Sequence, residues 1–452
     1  MGYHLNMSDA IEEPDSLETE SPRSNSTSRR RFRFSIRFLL LATLVTACVV
    51  TWANQRAKEC RAEADIVEEL QADGIKIEAI ARPPNLLEKF FGARFSKRPY
   101  EVQLDFKDIG AINRLTQLEY VESIESDIVH QDLYAYSHFK NLKTLYVGEC
   151  YALESLGGIE KLQRLEDLTI WDADRLESCR PLASLKNLKR LNINYDDNSK
   201  LKDLDKVLPQ MSGLQSFETD LFAPDSFECF AGLKNLEELD LQLDFSHATS
   251  LDGLDRAPKL KKLSLVYCSK ITDMEALKSM TAMTELHLDT GIPSLDFLQK
   301  MKNLRSLKID IYDSKVSPSP ETLKTFAQLE QLDVTCGGLK VIGPLSHLTN
   351  LRHLVLIGTV PSEFKLSTLS ALPSLEKLDL RNMKNLPSLD GIESLSTLRE
   401  ISISGCSDLT DIQAMGKLGT IKKIQIGRCK NIPFKQISAL LSKRPNAQYE
   451  IY

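Results

Sequence analysis

The sequence lacks long apolar runs, dense cysteine and an excess of positive charge, and each lack excludes a class of protein. Only one stretch is continuously apolar and the mean hydropathy is −0.23, which excludes a polytopic membrane protein. A net charge of −6 with a pI near 5.8 gives no net attraction for phosphate, so we expect no nucleic-acid partner. Nine cysteines scattered over 452 residues are too few for a disulfide framework, and their odd number leaves at least one unpaired.

Motifs that carry catalysis or bind metals are also missing from the sequence. The seven histidines form no H-E-x-x-H motif and no pair four residues apart. No G-x-S-x-G, P-loop or dinucleotide-binding fingerprint occurs, and the cysteines show no C-x₂-C spacing. The sequence therefore predicts a non-catalytic protein with no catalytic residues, no metal ligands and no cofactor, with an enzyme as an open alternative.

The N-terminal part divides into a polar tail and one apolar segment. Residues 1–34 run from an acidic stretch to an arginine cluster without apolar periodicity, which predicts a disordered cytoplasmic tail. The uncharged residues 38–53 would make a helix of ~24 Å, slightly short of a ~30 Å hydrocarbon core. Arg37 can reach the headgroups and Trp52 suits the far interface. We therefore predict one transmembrane helix, a signal anchor, at residues 35–53.

The charges around this segment predict its orientation. Five arginines precede it, whereas the basic residues that follow are diluted by Glu59 and Glu63, so the N-terminus is expected in the cytoplasm and the rest outside the cell membrane. Three alternatives remain open: a cleaved signal peptide, a cytosolic fate, and a lipoprotein anchored at Cys48 within Val45-Thr46-Ala47-Cys48.

A nine-residue pattern, L-x-x-L-x-x-L-x-L, recurs from about residue 100 to the C-terminal region. FKNLKTLYV (139–147), LKNLKRLNI (185–193) and LPSLEKLDL (372–380) are clear copies among fourteen, and their mean interval is about 23 residues. In x-L-x-L the apolar side chains share one face of a short strand. Since no unit can bury its leucines alone, the units must stack strand beside strand.

The pattern predicts an α/β leucine-rich-repeat solenoid, a horseshoe with a parallel β-sheet on its concave face. After the anchor we expect an N-terminal capping region at 54–110, about fourteen repeats at 111–430 and a C-terminal cap at 431–452. Within the caps we predict a helix from Ala57 to Ala72, a strand in IKIEAIA, a short helix NLLEKFFG, a final helix in PFKQISALLSKRP and an edge strand in AQYEIY.

Residues 100–452 resemble leucine-rich-repeat proteins, and connecting halves such as ITDMEAL (271–277) resemble the short internalin-like or protein-phosphatase-regulator-like class. The segment RFSIRFLLLATLV, the amphipathic stretch after it and the strand YEVQLDF together resemble bacterial single-pass membrane proteins with extracytoplasmic leucine-rich repeats. The resemblance implies a location and a binding role, but no particular ligand.

Two sets of residues are candidates for special roles. Four cysteines lie three residues after the second strand leucine, where a buried structural thiol can satisfy backbone groups: Cys150, Cys268, Cys406 and Cys429. On the concave face, eight of ten charged residues in the fifth to tenth copies are acidic: Glu218, Asp220, Glu238, Asp240, Glu285, Asp289, Asp310 and Asp333. Tyr146 and Trp171 add an aromatic surface for a sugar or peptide.

These residues predict a membrane-anchored protein that binds a basic protein segment or a cationic envelope polymer through the concave face. A polar sheet face kept for solubility explains the same residues without any ligand. The alternative function is a cytosolic or envelope scaffold of the phosphatase-regulator-like type.

Overall fold

The computed structural model describes most of the chain. The described residues are 36–80, 100–105, 110–127, 130–194, 201, 203–220, 222, 224–243, 247–289, 295–309, 322, 325–335, 345–360 and 364–452. The predicted tail at 1–34, the predicted helix NLLEKFFG and Asp310 lie outside this set. The chain divides into two compact units, Met1–Lys58 and Glu59–Tyr452.

The described residues contain four α-helices and seventeen strands. The helices are α1 Ile36–Ala72, α2 Ala111–Leu115, α3 Leu204–Val207 and α4 Phe434–Lys443. The first nine strands are β1 Lys76–Ala79, β2 Tyr100–Leu104, β3 Val121–Ser126, β4 Thr144–Val147, β5 Asp167–Trp171, β6 Arg190–Asn194, β7 Ser216–Thr219, β8 Glu238–Gln242 and β9 Lys262–Val266. The others are β10 Glu285–Leu288, β11 Ser306–Ile309, β12 Gln331–Thr335, β13 His353–Thr359, β14 Lys377–Lys384, β15 Glu400–Ser404, β16 Lys423–Gly427 and β17 Gln448–Ile451.

Short 3₁₀ helices connect most of the strands, as the small apolar sets between the strand leucines predict. They are Tyr134–His138, Ile159–Lys161, Arg180–Ser184, Leu208–Gln210, Glu228–Gly232, Leu254–Arg256, Glu275–Ser279, Asp296–Lys300, Leu345–His347, Leu366–Ala371, Ile392–Ser394 and Gln413–Lys417. A 3₁₀ turn returns the chain in few residues, which a repeat of about 23 residues requires.

The seventeen strands form one sheet in chain order, and only the first pair is antiparallel. β1 runs against β2, whereas β2 to β17 are parallel neighbours. Equivalent leucines are in register, with Leu239 opposite Leu263 and Leu263 opposite Leu286. One face of each strand packs into a continuous core, and the alternate residues form the opposite face, which we call the outer face. The chain is therefore a leucine-rich-repeat solenoid, as predicted.

The first repeat copy differs from its predicted register. The pattern places Val121 at the first strand leucine position, but Ile124 is the residue opposite Leu145 of the next repeat, while Val121 pairs with Tyr100. Both side chains are buried, because β3 extends far enough to contribute two core residues. The sequence of this copy, with apolar residues at both positions, does not distinguish them.

An asparagine three residues before the strand links several repeats. The side-chain amide of Asn141 donates a hydrogen bond to the carbonyl of Glu119 at 2.7 Å, and Asn187 makes the same bond to Gln163 at 2.8 Å. Asn235 repeats it with Ser212 at 3.0 Å. These bonds satisfy carbonyl groups that turns would otherwise leave unpaired, and they fix the spacing between repeats.

Helix α1 is continuous where the sequence predicts two helices. Residues 36–53 of the expected anchor and the expected helix from Ala57 belong to one helix of 37 residues, because residues 54–56 contain no glycine or proline to break it. Its N-terminal part exposes apolar side chains, including Leu40, Leu44 and Val45. Among the described residues it is the one helix long and apolar enough to cross a membrane, with a mean hydropathy of 2.0 over an 18-residue window.

Candidate binding groove on the outer face of the sheet

A groove of about 300 Å³ lies on the outer face between β7 and β12, and we call it the acidic groove. Strand alternation builds it, because the side chains next to each buried leucine project from this face. It is lined by five carboxylates, Glu218, Glu238, Asp240, Glu285 and Asp333, together with Lys262, Lys308 and His287. With His287 neutral, these groups sum to a charge of −3.

The structure brings five of the eight predicted acidic residues together in this groove. Asp220 comes directly after β7 and Asp289 directly after β10, and neither lines the groove. Both residues follow the last residue of their strand, outside the strand positions that line the groove. Asp310 lies outside the described residues.

Lys262 neutralises part of the acidic groove. Its ammonium group lies 3.0 Å from Glu238 and 3.4 Å from Glu285, on the two neighbouring strands. The hydrogen bond to Glu238 and the charge of Glu285 raise the pKa of Lys262. Glu218 and Asp240 are opposite each other on β7 and β8, and neither forms an ion pair within the described residues. Glu218 and Asp240 therefore contribute negative charge that no ion pair offsets among the described residues.

Ser264 and His287 form a hydrogen-bonded pair in the acidic groove. Ser264 Oγ lies 3.0 Å from His287 Nδ1 across β9 and β10. Burial and the positive charge of Lys308 lower the pKa of His287, so the ring is neutral at pH 7 and does not cancel the carboxylates. Among the described residues no carboxylate hydrogen-bonds to this ring.

Tyr146 and Trp171 lie near the N-terminal end of the sheet, outside the acidic groove. Their ring centroids are 6.4 Å apart with a 45° tilt, and Trp171 is 43% exposed. Burial and the nearby charge of Asp127 raise the pKa of Tyr146. The two rings thus form a separate aromatic surface beside a carboxylate.

A buried carboxylate on the outer face was not foreseen from the sequence. Asp379 of β14 accepts hydrogen bonds from His353 Nε2 and from Arg381, both at 3.1 Å, and Lys377 lies 3.7 Å away. Burial would raise the pKa of Asp379, but the His353 hydrogen bond and the charge of Lys377 lower it overall. Asp379 has the same strand position as Asp240, so the repeat pattern places it on the outer face. The spacing of the leucines does not show that a residue on this face is buried.

We expect Asp379→Asn to lower the free energy of unfolding by about 1.5–3 kcal/mol at pH 7, because it weakens charge-assisted hydrogen bonds. The folded-state pKa lies below the unfolded value near 3.9, so the carboxylate stabilises the fold above that pH. The difference should shrink as the pH falls through the folded-state pKa. Urea titrations from pH 7 to pH 2.5 measure it, with the exposed neighbour Glu400→Gln as control. A constant difference across this range would contradict the assignment.

The four predicted structural cysteines lie two or three residues after the end of a strand. Cys150, Cys268 and Cys406 are buried, and Cys429 is half-buried. Their thiols contact backbone carbonyls, as in Cys150 with Val147 at 3.3 Å and Cys268 with Leu265 at 3.4 Å. Among the described residues no group of three or more His, Cys, Asp or Glu is placed to hold a metal ion.

The repeat register, the parallel sheet and the buried leucine ladder define a leucine-rich-repeat domain. Residues 281–430 match a family model described as plant disease resistance protein RPS2-like, leucine-rich repeats. The match covers β10 to β16.

Three solved structures are similar to this chain at low sequence identity. A leucine-rich-repeat protein of Leptospira interrogans is 18% identical with a TM-score of 0.49, and the match covers 82% of this chain and 100% of that one. An internalin of Listeria monocytogenes is 21% identical with a TM-score of 0.43, covering 69% and 81%. The ectodomain of the plant membrane receptor kinase GASSHO1/SCHENGEN3 from Arabidopsis thaliana is 14% identical with a TM-score of 0.41, covering 78% and 49%.

Proposed function

We propose that this protein is a non-catalytic, membrane-anchored binding protein whose acidic groove holds a basic protein segment or a cationic envelope polymer. The observation that carries the proposal is the pair Glu218 and Asp240, two carboxylates without ion-pair partners among the described residues, inside a groove of about 300 Å³. Adjacent strands lie ~4.8 Å apart, so their potentials add within one Debye length of about 8 Å. A preformed groove also lowers the ordering cost of binding.

The proposed location is the cell membrane, with residues 35–53 as a single span, the N-terminus in the cytoplasm and the repeats outside. The apolar part of α1 and the arginines before it support this orientation. The resemblance to bacterial single-pass proteins with internalin-like repeats supports it as well. The predicted domain boundaries at 54–110, 111–430 and 431–452 belong to the same proposal.

We expect Glu218→Lys combined with Asp240→Lys to weaken binding of a cationic ligand about tenfold or more at low salt, because it reverses the unpaired charge. Poly-lysine is a defined probe, and fluorescence anisotropy with the full chain in detergent measures its affinity. Binding to the unaltered protein should weaken with increasing salt.

The matched control is Asp65→Lys combined with Glu68→Lys, which changes the net charge equally on exposed positions of α1. It should keep the affinity of the unaltered protein. Equal losses in both double variants would mean that total charge, rather than the groove, attracts the probe, and the polar face would then serve solubility.

Two alternatives have their own support. The short connecting halves, which form 3₁₀ helices in this chain, resemble those of phosphatase-regulator-like repeats. This resemblance favours a regulatory scaffold. A lipoprotein lipidated at Cys48 would carry the same repeats outside the cell membrane, but a lipid would anchor it instead of a transmembrane helix. Protease treatment of intact cells tests the scaffold alternative, because a cytosolic protein is protected from external protease. The mass of the mature N-terminal peptide tests the lipoprotein alternative, because lipidation at Cys48 changes it.

A further inference from the structure

Two cysteines occupy the same position in adjacent repeats. Ser404 of β15 is in register with Gly427 of β16, and Cys406 and Cys429 each follow two residues later. Adjacent strands lie ~4.8 Å apart, and a disulfide needs Cα atoms about 4.4–6.8 Å apart. Each thiol faces the carbonyl 26 residues earlier, Leu380 for Cys406 and Ile403 for Cys429, so the repeat spacing continues past the strand ends and suits a disulfide.

The two thiols also have equivalent surroundings. Cys406 lies 3.5 Å from the carbonyl of Ser404, and Cys429 lies 3.3 Å from the carbonyl of Gly427, which is the register partner of Ser404. Hydrogen bonding from Cys406 and from the backbone N–H groups of Cys406 and Gly405 lowers the pKa of Cys429. Cys429 is half-buried, whereas Cys406 is fully buried. The accessible partner is thus the more nucleophilic one.

Cys150 has the same repeat position but no such neighbour. The equivalent residue one repeat later is Ala173, which is buried in the core. Cys150 therefore offers a matched thiol with similar burial and similar carbonyl contacts but no sulfur on the next repeat.

We propose that Cys406 and Cys429 are a modification site, at which a small-molecule disulfide oxidises the pair to an intrachain disulfide. The Cys429 thiolate attacks glutathione disulfide, forming a mixed disulfide and releasing one glutathione thiolate. Cys406 then loses its proton and attacks the Cys429 sulfur, which releases the second glutathione. Two protein thiols lose two electrons, and one glutathione disulfide becomes two glutathione molecules. The bond joins the last two regular repeats and does not rest on the proposed binding function.

The test is mass spectrometry of the full chain in detergent after equilibration with reduced and oxidised glutathione. Trypsin cleaves after Arg399, Lys417, Arg428 and Lys430, so the bond appears as peptide 400–417 joined to 429–430. We expect this species to accumulate as the oxidised fraction rises and to vanish with dithiothreitol. Absence of the joined peptides under fully oxidised glutathione would overturn the proposal.

A second measurement tests the order of attack. Cys406→Ser removes the resolving thiol, so glutathione should remain attached to Cys429, whereas Cys150→Ser should leave the joined peptides unchanged. If Cys406→Ser folds by circular dichroism and carries no more glutathione at Cys429 than the unaltered chain, the proposed sequence is wrong. If that variant does not fold, the joined peptides from the unaltered chain decide the question alone.

Discussion

Replacing Phe230 with alanine should lower the free energy of unfolding by about 3–5 kcal/mol, the largest effect we expect from a single substitution. Phe230 is fully buried, and its ring centroid lies 5.8 Å from that of Phe222, 5.9 Å from Phe227 and 6.3 Å from Phe217. Truncation removes the centre of an aromatic cluster in a densely packed interior, so the neighbours cannot collapse fully into the cavity. Urea denaturation followed by circular dichroism measures the loss.

The fold also predicts where this destabilisation should appear. Each repeat of a solenoid contacts only its neighbours, so amide exchange should accelerate most in β7 and β8 and least in β15 and β16. Phe230→Leu should recover most of the stability, and Trp171→Ala, at an exposed ring, should cost little. Equal acceleration of amide exchange along the whole sheet would contradict the expectation that each repeat is stabilised only by its neighbours.

The repeats could be predicted because their periodicity reflects a physical requirement. Two strand leucines must face the core in every unit, and the recurrence of that pair fixed the strands, their parallel order and the outer positions of Glu218, Asp240 and Glu285. The register of the first copy could not be predicted, because Val121 and Ile124 are both apolar and both buried. Either residue fits the first strand leucine position. Spacing resolves a register only where polar residues separate the apolar ones.

Charge balance within the groove could not be predicted in the same way. Counting carboxylates gave an acidic face, yet Lys262 bridges Glu238 and Glu285 across two strands, which depends on register and side-chain reach. The surroundings of Asp379 also depend on the folded sheet, because His353 on the neighbouring strand approaches it only when the two strands are in register. Lys377 and Arg381 complete this cluster. Pair energies depend on distances between strands, and those distances appear only in the folded sheet.

The second large effect concerns the proposed membrane anchor. Leu44→Arg combined with Val45→Arg places two charges at the centre of the apolar stretch, and each costs about 2.5–3.5 kcal/mol in membrane insertion. The unaltered chain should stay with membranes through an alkaline carbonate wash, and the double variant should move to the soluble fraction. The matched control is Asn54→Arg combined with Gln55→Arg, which adds the same two charges to the same helix beyond its apolar part.

The same fractionation separates the possible fates of the apolar segment, because each leaves a different N-terminus. A retained anchor keeps the tail, so an N-terminal tag should remain on the membrane-bound chain while external protease digests the repeats of intact cells. A cleaved signal would lose the tag and release the unaltered chain from membranes, which would contradict the anchor. A lipoprotein would lose the tag but stay bound, and Cys48→Ser would then release it. With a retained anchor Cys48→Ser should change nothing, since the apolar side chains alone supply the free energy of insertion.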